Sequence, residues 1–177
     1  MEDFLELAKT RQSCRDYLDK PVEREKLERI IEAARLAPSA CNSQPWSFVV
    51  VETPATVAEV ADSTTILGIN KYLKSATAFI VVLEETAELI QKLAQLVDSQ
   101  THAQGDLGAA VLSLCLEAES LGLGTCIAGV FDRPRLRKLL DIPPEKKIFM
   151  VVAVGYPKSE RVREKSRKPF AEIVRFV

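Results

Sequence analysis

Three short runs of this chain are apolar on successive residues, which forces each of them to be buried on both faces. Residues 48–52 and 78–83 are rich in β-branched and large apolar side chains, and 147–154 repeats the pattern before Gly155-Tyr156-Pro157 closes it. Strands of this kind lie inside a sheet that is covered above and below. The cover has to come from the segments between them. Phe4, Leu5 and Ala8 predict a short first helix, and Leu27, Ile30, Ile31 and Ala34 recur at helical spacing over 23–37, where Pro38 stops the helix. A longer Ala- and Leu-rich stretch, 106–121, ends at Gly122 and Gly124 and predicts a buried helix that is the spine of the fold. With no repeat, low-complexity tract or linker, residues 1–177 are expected to form one α+β domain.

Charge and composition exclude several functions. Twenty-four Lys and Arg against 25 Asp and Glu leave a formal charge of -1, so no global field favours nucleic acid or an anionic membrane, and any anion site has to be local. No apolar run approaches the roughly 20 residues of a membrane span. Met1-Glu2-Asp3 brings neither a basic nor an apolar leader region, so a cytoplasmic protein is expected. Cys14, Cys41, Cys115 and Cys126 lie far apart with no C-x-x-C pair, and His102 is the only histidine, so no metal site is expected.

Four segments carry chemistry. In Arg11-Gln12-Ser13-Cys14-Arg15 two guanidinium forks flank a hydroxyl and an amide, a set suited to a phosphate with an attached polyol. The stretch 37–46 frames Ser39, Asn42 and Gln44 between Pro38 and Pro45 and ends in the only Trp, Trp46. Its two amides match a heterocycle with alternating donors and acceptors. The glycine-containing stretch 121–131 is not a dinucleotide fingerprint, because Gly122-Leu123-Gly124 follows a helix and no third glycine opens another. Its small residues let a backbone lie against an aromatic ring system. Last, Arg161, Arg163, Lys165, Arg167 and Lys168 alternate with Glu160 and Glu164. Most of such a run is a solvated face, and the adjacent Arg167-Lys168 is the pair expected to contact phosphate. Beyond it, 170–177 turns apolar again after a polar arm and needs a surface to dock on.

Together and in this order, the four segments resemble the nitroreductase family of FMN-dependent oxidoreductases over nearly the whole chain. The resemblance implies a central mixed β-sheet flanked by helices, in an intertwined homodimer whose residues 158–177 extend onto the partner subunit. It implies bound FMN, with Arg11, Gln12, Ser13 and Arg15 on the phosphate and ribityl chain and Pro38, Ser39, Ala40, Asn42 and Gln44 on the flavin. Ile127, Ala128 and Gly129 would lie against the isoalloxazine, Asn70 at its pyrimidine edge, and Arg167 and Lys168 on the phosphate. Gln12 departs from the pattern, since the family commonly has a basic residue there. NAD(P)H would reduce the flavin and a small organic acceptor, a nitroaromatic or quinone, would reoxidise it in a ping-pong cycle. No side chain is assigned as catalyst, because the flavin carries the redox chemistry, tuned by a backbone N–H near Ala128 or Gly129. Reductive carbon–halogen cleavage, breakdown of reduced flavin and flavin binding without turnover are the alternatives.

Overall fold

Four strands, β1 (Trp46–Val51), β2 (Ala78–Glu84), β3 (Gly124–Ala128) and β4 (Lys147–Gly155), form one sheet in the order β1-β2-β4-β3. The computed structural model describes residues 3–66, 68–87 and 99–177, so Met1 and Glu2, which entered the reading of the amino terminus, lie outside the described residues. All seven residues of β2 are buried, as its unbroken apolar run requires of a central strand. The α+β fold is the expected one, but every strand pairing is antiparallel. The parallel component expected of a mixed sheet is confined, among the described residues, to an isolated bridge between Ser13 and Thr125. β3 is the strand that sequence patterning misses, because Gly-Thr-Cys-Ile-Ala is too short and too small to show a period.

Alternate residues of the strands feed two cores. Phe79, Val81, Leu83, Val151 and Ala153 pack with α3 (Pro54–Thr64) and with Leu136 of the short helix that follows β3. Ile80, Val82, Val152 and Val154 pack on the opposite face with α2 (Arg24–Arg35) and α4 (Ser99–Ser120). α2 turns Leu27, Ile30 and Ala34 inward against Leu107, Ala110 and Leu114 of α4. Trp46 joins this second core. The sheet is thus covered on one side by α2 and α4 and on the other by α3 and α5 (Arg133–Leu139), while α1 (Phe4–Thr10) buries no residue and α6 (Phe170–Ile173) is a single turn near the C-terminus.

The glycine stop of α4 is a Schellman motif. Gly122 adopts φ 73°, its N–H donates to the Glu119 carbonyl at 3.0 Å, and the Leu123 N–H reaches back to Ala118 at 2.8 Å. That turn sends the chain directly into β3. No helix among the described residues is long and apolar enough to cross a membrane.

Candidate functional site

After α1, residues 11–15 run beside β3. The Cys14 N–H donates to the Thr125 carbonyl at 2.8 Å, next to the Ser13–Thr125 bridge. So close an approach requires a residue without a side chain opposite. Gly124 meets that need, for a Cβ there would lie 2.6 Å from Cys14 Cβ and 2.8 Å from its Sγ. This glycine admits the chain's own segment rather than a ring system. Cys14 is buried, Arg11, Gln12 and Ser13 are partly exposed, and Arg15 is exposed.

The polar arm folds back over this segment. Gln12 donates to the Arg161 carbonyl at 2.9 Å and accepts at Oε1 from the Arg163 backbone at 3.1 Å and from Arg163 Nε at 3.0 Å, while Arg163 also donates to the Ser13 carbonyl. The side-chain amide of Gln12 is therefore engaged within the chain, and it holds the Arg163 guanidinium beside segment 11–15. In the sequence Arg163 is one charge among several in a mixed-sign run, and nothing local marks a partner 151 residues away. A cleft of about 710 Å³ lies between segment and arm, walled by Ser13, Arg15, Glu119, Gly124, Arg161 and Arg163. Its volume falls in the range of small-molecule sites.

Lys165 donates to the Lys9 carbonyl close to Arg11 and Arg167. Burial, then repulsion from Arg11 and Arg167, holds its ammonium below the ordinary lysine range, with Glu119 opposing. Burial in turn pushes the Glu119 carboxyl up, against the Thr10 hydroxyl and the charges of Arg11 and Lys165. Both Arg11 and Arg167 thus act on the Lys165 ammonium, and an incoming anion would relieve that repulsion. Lys168 is exposed and makes no hydrogen bond, ion pair or ring contact among the described residues.

At the far end of β3 the backbone opens to solvent. Ile127 is 42% exposed, a Cβ on Gly129 would meet nothing within 4 Å, and the Gly129 N–H has no acceptor among the described residues. Asn70 sits beside this strip, its amide donating to the Val130 carbonyl at 3.2 Å. Cys126 and Ala128 face the core. Burial pushes the Cys126 thiol up, only partly offset by the Arg15 charge, and burial also raises Cys14 and Cys115. None of these three is poised as a thiolate.

Residues 38–45 form a separate constellation. Cys41, Asn42 and Gln44 have φ of 51°, 54° and 47°, left-handed conformations that cost a non-glycine residue about 1–3 kcal/mol each and cluster at functional sites. The loop is pinned by the Gln44 N–H donating to Ser39 Oγ at 3.0 Å and the Ala40 N–H donating to Asp106 Oδ2 at 3.1 Å. Pro38 leads into it from the end of α2. Among the described residues, the Asn42 side-chain amide is exposed without a partner, and Ser43 Oγ is buried with none. Ser43 is a candidate that sequence reasoning misses, since an unsatisfied hydroxyl is visible only in three dimensions.

α4 separates the two constellations. Asp106 holds the loop near one end and Glu119 faces Arg11 near the other, about 20 Å apart at 1.5 Å per residue. β1, which the loop enters, and β3 are likewise opposite edges of the sheet. Arg11, Ser13, Arg15, Arg167, Asn70 and the strip 127–129 gather on one side of the chain, and Ser39, Ala40, Asn42 and Gln44 on the other. The donor set fits FMN: clustered cations for a phosphate, an open backbone strip for a planar ring, and a loop with a free amide and an orphaned hydroxyl for a heterocycle edge.

The profile of the nitroreductase family matches residues 8–156. A protein of Archaeoglobus fulgidus, provisionally named NADH dehydrogenase/NAD(P)H nitroreductase, is 37% identical over 91% of this chain and 89% of its own length. The FMN-dependent nitroreductase of Clostridium difficile R20291 superposes with a TM-score of 0.79 at 25% identity, covering 97% of this chain and 98% of that one. Human iodotyrosine deiodinase 1 is 26% identical over 98% of this chain and 68% of its own length.

Proposed function

We propose, from the premise that this chain belongs to the nitroreductase family, that it is an NAD(P)H-dependent oxidoreductase working through bound FMN. The observation that carries the reading is the gathering of cations at segment 11–15 beside β3, where Arg11 and Arg15 flank Ser13 and the arm's Arg163 and Lys165 fold back to donate to the Ser13 and Lys9 carbonyls, a set suited to a phosphate dianion. Bound here, FMN would supply the two-electron redox chemistry of a ping-pong cycle between NAD(P)H and a small organic acceptor such as a nitroaromatic or quinone. The chain's own part is to bind and orient. Arg11, Arg15, Lys165 and Arg167 neutralise the phosphate, Ser13 adds a neutral hydrogen bond, and Gln12 acts indirectly by holding Arg163. Ile127, Ala128 and Gly129 present backbone to the ring, with the free Gly129 N–H as its electrostatic tuner. Asn42 and Gln44 address the heterocycle, and Lys168 is the weakest of the proposed phosphate contacts.

The division of these groups by α4 supports a site shared between two copies, with Ser39, Ala40, Asn42 and Gln44 supplied by one and the cations by the other. A homodimer is therefore part of the proposal, and the docking on the partner expected for 158–177 is kept for the residues after Lys165. The polar arm up to Lys165 lies on its own chain, so the outward reach begins after it. Phe170, Ile173, Phe176 and Val177 are all largely exposed, which favours a partner surface for them. Purification tests the reading. A yellow protein should release FMN on denaturation, and its flavin absorbance should bleach on anaerobic mixing with NADH or NADPH. A colourless protein that takes up no added FMN would reject it.

The likeness to iodotyrosine deiodinase 1 supports a second reading, reductive carbon–halogen cleavage on the same scaffold. Steady-state rates with a nitroaromatic, a quinone and a halotyrosine separate the two.

A further inference from the structure

We infer that Tyr72 is a positioning residue of this site, setting the strip beside the flavin ring through Asn70 and steadying Arg15 with its own ring; the inference rests on the FMN reading. Asn70 precedes the 3-10 helix Lys71–Ser75 with φ 60°, a conformation that asparagine tolerates better than most residues. Its side chain does not cap that helix and is free for other contacts. Both carbonyls it reaches are backbone: Thr64 at the end of α3, at 3.3 Å, and Val130 just past Gly129, at 3.2 Å. The Tyr72 hydroxyl donates to Asn70 Oδ1 at 2.9 Å, opposite the two carbonyls. A primary amide has donors at one end and acceptors at the other, so a hydroxyl donor there reinforces a single orientation. Tyr72 is itself anchored by packing against the core of that face. The other face of the relationship is Arg15, whose guanidinium lies 5.4 Å from the Tyr72 ring centroid and makes no ion pair among the described residues. One aromatic side chain thus touches the phosphate-binding segment and, through one amide, the backbone on which the ring would lie.

The hydroxyl, which also meets the Cys126 thiol of β3, and the ring separate by substitution. Tyr72→Phe keeps the ring under Arg15 and removes only the hydroxyl. FMN affinity, read by fluorescence titration of the apoprotein, should stay within about twofold, while flavin reduction by NAD(P)H slows about tenfold, the size of one neutral hydrogen bond. The midpoint potential and visible absorption of bound FMN should move with it. Tyr72→Leu also removes the ring, and affinity should fall a further two- to fivefold, as for an exposed cation–π contact. Asn70→Gly preserves the left-handed backbone while deleting the amide. It should reproduce the Tyr72→Phe reduction rate, and the double variant should be no slower than either single one. A Tyr72→Phe protein with wild-type rate and potential and only a lower melting temperature would assign Tyr72 to packing and overturn the inference. Additive rates in the double variant would overturn it as well. Wild-type protein that takes up no FMN would overturn the FMN reading and this inference together, whereas normal uptake with silent variants removes this inference alone.

Discussion

Lys165 shows how one residue reports on a site. Its ammonium is held low by burial and by Arg11 and Arg167. Because its folded value lies below its unfolded one, the charged form is disfavoured in the fold. The resulting loss of stability is present at neutral pH and is relieved as pH rises toward the ordinary lysine value. Arg11→Ala is therefore expected to act with opposite signs on the two states. It should raise the melting temperature of the apoprotein near neutral pH, yet weaken FMN by about 1.5–3 kcal/mol in a fluorescence titration. A variant that lowers both would mean that Arg11 braces the fold instead. The thiols give a second test at this scale. Cys41 is exposed, whereas Cys14, Cys115 and Cys126 are buried with raised values. A disulfide reagent should titrate one thiol in the native protein and four after denaturation. Fast reaction of a second native thiol would contradict the buried placement of Cys126.

At the level of elements, two glycines five residues apart, one opening β3 and one just past its end, divide the work of this strand. Gly124 makes room for Cys14, and Gly129 faces open space. Gly124→Ala should destabilise the apoprotein by about 1–3 kcal/mol in urea and displace residues 11–15, because overpacking is resolved by moving backbone. Gly129→Val should leave apoprotein stability nearly unchanged and strike FMN binding or its reduction instead. Equal effects of both on the apoprotein would remove the distinction. Much of this architecture is legible in the sequence where a pattern is long enough to repeat. The buried runs of β2 and β4, the amphipathic α2 and the glycine stop of α4 all show their periods. α3 and α5 do not stand out, and β3 is hidden because its residues are chosen for closeness to a crossing segment, a demand that leaves no period behind. The same limit governs the site: Arg11, Ser13 and Arg15 declare themselves by spacing, whereas Arg163, Lys165 and Ser43 acquire meaning only from what lies across from them.

Over the whole molecule, both ends of the chain carry exposed apolar residues, Phe4 and Leu5 on α1 and Phe170, Ile173, Phe176 and Val177 beyond the arm, while others such as Leu36 and Leu112 lie between. Truncation after Pro169 should weaken self-association and flavin retention together, since the removed segment has little contact with its own core. Sedimentation showing an unchanged dimer at low micromolar concentration would oppose that. The separation of the two constellations by α4 has a genetic corollary. An Arg11→Ala chain and an Asn42→Ala chain each lack one half of every site in their own homodimers. Refolded together in equal amounts, half of the pairs are hybrids, and each hybrid concentrates both lesions in one site while leaving its twin intact. Two nearly colourless proteins should then yield about a quarter of the wild-type yellow. If mixing restores nothing, each chain binds its flavin alone.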